Sequence, residues 1–78
     1  MTLAELPKGE SRTVLSVRGE GPVTRRLMEM GVIPGVSVSM VKAAPFGDPL
    51  EIRVRGYNLA LRRNEAATVE VETGLRDE

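Results

Sequence analysis

Apolar and polar residues alternate along most of this chain, and only one short stretch breaks into helical spacing. In Arg12–Arg18 (RTVLSVR), Thr13, Leu15 and Val17 fall on one side and Val14 on the other, a strand with a half-covered second face. Val36–Lys42 (VSVSMVK) alternates in the same way, with Val36, Val38 and Met40 inward. Leu50–Arg55 (LEIRVR) places Leu50, Ile52 and Val54 inward and Glu51, Arg53 and Arg55 outward. Leu59–Arg62 and Thr68–Glu72 complete five short strands, the last with Val69 and Val71 inward. Between the first two strands, Val23, Leu27 and Met30 recur at four and three residues, a helical stripe.

The punctuation agrees with this reading. Pro22 suits the first helical position, where the missing N–H costs nothing. Gly31 sits where a helix end requires positive φ, and Pro34-Gly35 fits the centre of a type II turn. Ala43–Pro49 (AAPFGDP) reads as a loop carrying Phe46. Gly56 begins a tight turn with Tyr57-Asn58 at it, so strands three and four form a hairpin. Residues 63–67 suit a single 3-10 turn. Leu3 and Leu6 anchor a lead-in that Pro7 and Gly9 terminate, and 73–78 reads as a frayed polar tail. The expectation is one mainly β domain over 1–78. It is a small SH3-like barrel of about five strands, with one short α-helix after strand one and a 3-10 turn before the last strand. An OB-fold places its helix later in the order.

Composition then removes functions. The 78 residues contain no histidine and no cysteine, so the usual bases, thiol nucleophiles and soft-metal ligands are missing. The chain reads as a non-enzyme with no cofactor and no metal-ligating residues. Eleven basic residues balance eleven acidic ones, which argues against a dedicated nucleic-acid binder. Arg53, Arg55, Arg62 and Arg63 gather around the hairpin, but with only Phe46 and Tyr57 as aromatics there is little to stack bases on. A nucleic-acid-binding barrel and a metal-sensing domain remain the alternative readings. No apolar run reaches the ~20 residues of a membrane span, and there is no signal-like h-region, so a soluble cytoplasmic protein is expected. What remains is protein contact. Met28 lies off the helix's core stripe, and Phe46 lies in a Pro/Gly-flanked loop. Phe46 either serves contact or folds back over one end of the barrel.

Three segments, LMEMGVIPG, APFGDPLEIRV and GYNLALRRNEA, occur in an order and spacing that resembles the FeoA family, ferrous iron transport protein A. The resemblance covers residues 3–72 and falls on Leu27, Gly31, Pro34, Gly35, Pro49, Gly56, Leu61, Glu65 and Ala66. Gly31, Pro34, Gly35, Pro49 and Gly56 are its turn positions, and Glu65 is read as receiving a turn N–H. The resemblance implies an SH3-like barrel acting with a FeoB-type membrane transporter that carries a cytosolic G-domain. It implies localisation in the cytoplasm, at the inner membrane through that partner, and self-association is a further expectation. The residues singled out for partner contact are Met28, Pro45, Phe46, Gly47 and Asp48.

Overall fold

A computed structural model of the chain describes residues 1–74. The elements are a 3-10 turn at Leu3–Glu5, β1 (Ser11–Val17), α1 (Pro22–Glu29), β2 (Ser37–Ala43), β3 (Leu50–Val54), β4 (Tyr57–Leu61), α2 (Arg63–Ala66) and β5 (Val69–Val71). The strands form one antiparallel sheet in the order β4-β3-β2-β1-β5, curled into a small SH3-like barrel. The turn expected as 3-10 before the last strand is α2, one α-helical turn in which Ala66 and Ala67 donate to the carbonyls of Arg62 and Arg63. The expected tail at 73–78 lies in part outside the described residues.

The core combines Val14, Leu27, Val32, Val38, Met40, Leu50, Ile52, Val54, Leu61, Val69 and Val71 with Leu3 and Leu6 of the lead-in and Ala66 of α2. The strand-one face departs from the alternation. Val14 is buried, and Leu15, expected inward, is 51% exposed. The cause is a bulge: Val14 pairs with Val71 and Ser16 with Glu70, so Leu15 is an extra residue with no partner in β5. Beyond it Val17 faces Val69 and packs against the core, three residues from Val14 rather than two.

Helix α1 is equally selective. Leu27 is fully buried and Met30 packs against the core, but Val23, expected in the stripe, is 41% exposed. The glycine and proline positions follow their chemistry. Gly35 has φ 93°, and Val36 N–H donates to Ile33 O at 3.2 Å across Pro34-Gly35, as a type II turn requires. A Cβ on Gly35 would meet nothing within 4 Å, so only the backbone conformation resists substitution. Gly35→Val is therefore expected to cost more than ~1 kcal/mol, and Gly35→Asn, which tolerates positive φ, much less. Urea denaturation midpoints decide this, and equal midpoints for both variants would remove backbone strain as the reason for the glycine.

The hairpin turn is shifted from its expected place. Val54 pairs with Tyr57, so Arg55 (φ 52°) and Gly56 (φ 86°) form the two-residue turn, and Tyr57 and Asn58 belong to β4. Positive φ at both central residues is the type I′ pattern whose twist matches the strands.

Candidate functional site

The loop between β2 and β3 is built as a braced turn. Pro45 occupies the first central position, and Gly47 N–H closes the turn on Ala44 O at 2.7 Å. Ala44 N–H donates to Pro49 O at 3.0 Å, which ties the two ends of the loop together. The Asp48–Pro49 peptide bond is cis. The loop is also tied to the rest of the domain through Arg63. Its backbone N–H donates to Asp48 Oδ1 at 2.9 Å, so Asp48 satisfies an orphan donor at the start of α2. Its guanidinium donates from Nε to Gly47 O and from Nη1 to Ala4 O, both at 3.0 Å.

Phe46 rides on this brace with 99% of its surface exposed. It does not fold back over the barrel end, one of the two readings that the sequence allowed. Pro45 is exposed beside it, Gly47 is half-buried, and the Asp48 carboxylate is engaged at α2. Met28 is exposed at 44% but stands apart from this group. Arg26, on α1, lines a hollow with Asp48 and Pro49. Two residues on, Met28 leaves the helix about 200° further round, on the opposite flank. The structure therefore gathers Pro45, Phe46, Gly47 and Asp48 and leaves Met28 elsewhere.

Glu65 behaves as its position suggested. Its Oε1 accepts Arg62 N–H at 3.0 Å, and Oε2 pairs with Arg26, which fastens α1 to α2. Two of the four arginines near the hairpin have side-chain partners within the chain. Arg53 donates to Asn58 Oδ1 at 3.1 Å, and Arg63 holds the loop. Tyr57 spends its hydroxyl on Met30 O at the end of α1, so it forms no stacking platform with Phe46. No group of three or more His, Cys, Asp or Glu that could hold a metal ion occurs among the described residues. No helix among them is long and apolar enough to cross a membrane.

The brace itself was not legible in the sequence. Arg63 lies 16 residues from Gly47 and 59 from Ala4, and both bonds go to backbone carbonyls, which carry no residue signature.

Comparison with known proteins agrees with this architecture. A profile of the FeoA domain matches residues 1–73. A curated relative, the Fe(2+) transport protein A/Fe(2+) transporter FeoB fusion protein of Porphyromonas gingivalis, is 40% identical over 72 residues. That match covers 92% of this chain and 8% of the relative, so the chain spans a small part of that protein's length. The FeoA protein of Chlorobium tepidum superposes with a TM-score of 0.89 at 41% identity, over 100% of this chain and 74% of that one. FeoA of Stenotrophomonas maltophilia, a procaryotic SH3 domain protein solved in complex with zinc, gives 0.83 at 41% identity, over 92% and 89%.

Proposed function

Because the chain belongs to the FeoA domain family, we propose that it is a non-enzymatic accessory module for ferrous iron uptake, docking on the cytosolic side of a FeoB-type transporter. The observation that carries this reading is Phe46, wholly exposed on a turn held by hydrogen bonds at both ends. A large apolar side chain in water gains by burial, and a rigid mount spares the entropy of ordering it on contact. The relative in which the same domain is fused to a FeoB transporter supports that partner, since fusion places the two at high effective concentration. The module acts in the cytoplasm and reaches the membrane through the transporter.

Calorimetric titration with the transporter's cytosolic G-domain, with and without guanine nucleotide, and with full-length transporter in detergent, tests the docking. Burying one Phe side chain is worth ~1.5–3 kcal/mol, so Phe46→Asp should weaken binding by at least roughly tenfold. Circular dichroism should be unchanged, because the side chain touches none of the core. Full affinity in a folded Phe46→Asp variant would overturn the loop as the contact surface. Absence of binding to both G-domain and intact transporter would overturn the docking itself.

A further inference from the structure

The turn that carries Phe46 takes its shape from its own bonds and its orientation from elsewhere. Gly47 N–H to Ala44 O and Ala44 N–H to Pro49 O close it on itself, and neither bond relates it to the barrel. Asp48 fixes its foot by accepting the Arg63 N–H at the start of α2. The residue next to Phe46 is held by the Arg63 side chain, which donates from Nε to Gly47 O at 3.0 Å. The guanidinium lies close against Gly47, where a Cβ would stand 3.6 Å from Nη2. Its other arm, Nη1, donates to Ala4 O at 3.0 Å. Ala4 belongs to the 3-10 turn at Leu3–Glu5, which the buried Leu3 and Leu6 anchor on both sides. Arg63 therefore spans from a fixed point of the domain to the backbone beside Phe46. Among the described residues no carboxylate forms an ion pair with it, so its donors go to backbone carbonyls.

We infer that Arg63 is a positioning residue for docking: its forked guanidinium ties the Phe46 turn to the N-terminal turn and presents the phenyl ring in one orientation. This role rests on the docking reading above. Both bonds are open to water, so they contribute little to the stability of the whole domain. Their effect is local. A turn held only at its foot can swing, and a swinging turn must be ordered again on contact, which lowers affinity. The geometry also specifies arginine. Two carbonyls from distant segments accept from separate nitrogens of one rigid plane. A lysine ammonium, a point charge on a flexible stem, does not reproduce that fork.

Order and affinity are measured separately. ¹⁵N relaxation of the free chain reads the Phe46 and Gly47 amides, and calorimetric titration with full-length transporter in detergent reads docking. In the wild type both amides should be as ordered as the strands, with order parameters of about 0.85. In Arg63→Met they should fall below about 0.6 while the strands stay unchanged. Affinity should drop roughly tenfold through the lost preorganisation alone. Arg63→Lys, which keeps the charge and the stem, should lose nearly as much of both, and it carries the test if the methionine variant folds poorly. Arg25→Met, at an exposed position of α1, should change neither. Unchanged order in both Arg63 variants overturns the inference. So does lost order with full affinity, a lysine variant that matches wild type, or a loss of order that spreads through the strands. Absence of wild-type binding overturns the docking reading and this role with it. Relaxation tells the two failures apart, because the order of the turn then still depends on Arg63.

Discussion

Leu27→Ala is expected to remove ~2–5 kcal/mol of stability. A domain of this length holds roughly 4–12 kcal/mol in total, so the variant should lose a large share of its stability. The reason lies in how α1 is attached. It spans eight residues, too short to persist without docking, and Leu27 is its one fully buried side chain. Arg26 adds an ion pair to Glu65, but Arg26 is largely exposed, and exposed pairs contribute ~0–1 kcal/mol. Removing the leucine leaves a cavity lined by the barrel and a helix with little else to hold it. Far-UV circular dichroism in urea reads the effect as a lowered midpoint. Val23→Ala is the matched control, because Val23 is 41% exposed, and it should cost less than ~0.5 kcal/mol. Similar losses for the two variants would mean that the helix docks along the wider stripe of Val23, Leu27 and Met30.

That contrast marks where the sequence stopped being informative. Helical spacing puts Val23, Leu27 and Met30 on one side, but how much of that side is covered depends on where neighbouring strands end, which periodicity does not encode. The first strand failed for a similar reason. Strict alternation puts Leu15 inward with Val17; one inserted residue opposite β5 reverses Leu15 and brings in Val14. Val32 and Ala66 were also missed as core residues. One lies in a connector and the other in a single helical turn, where there is no run long enough to show a period. The order of elements, by contrast, was legible because each boundary rests on local chemistry: Pro22 at the first helical position, Gly31 at the end, Pro34-Gly35 in the turn.

The candidate site divides along the same line. A Pro-Phe-Gly tip between two strands reads as a turn from its residues alone, since proline and glycine restrict or release φ where they stand. Whether the phenylalanine covers the barrel or faces water is a tertiary matter. It is decided by Arg63, which reaches the Gly47 and Ala4 carbonyls from α2, and by Asp48, which is held at the start of that helix. Met28 shows the converse. Its exposure could be anticipated from the helical stripe, but its separation from the loop depends on which flank of α1 faces Pro49.

Gly31→Val should be at least as damaging as the conformational cost alone implies, because three features of the structure converge on that residue. Its φ is 101°, a region that costs a β-branched residue ~1–3 kcal/mol. A Cβ there would stand 3.2 Å from Arg55 Cδ and 3.5 Å from Tyr57 Oη, so the substitution also presses on the hairpin. Tyr57 in turn donates its hydroxyl to Met30 O. Gly31 further closes the helix: its N–H donates to Met28 O at 3.0 Å and Val32 N–H to Leu27 O at 3.0 Å, the paired bonds of a Schellman end. The accompanying apolar contact unites Leu27 and Val32, both fully buried, so an error in the backbone at Gly31 moves two core side chains at once. The expected loss is ~2–4 kcal/mol, which for a domain of this size lowers the thermal midpoint by roughly 8–32 °C. Gly31→Asn separates the contributions, since asparagine accepts the positive φ but carries the same Cβ toward Arg55. A midpoint close to wild type for Asn and far below it for Val would assign the loss to the backbone. Equal losses would assign it to the contact with Arg55 and Tyr57, and therefore to the junction that holds the end of α1 against the β3–β4 hairpin.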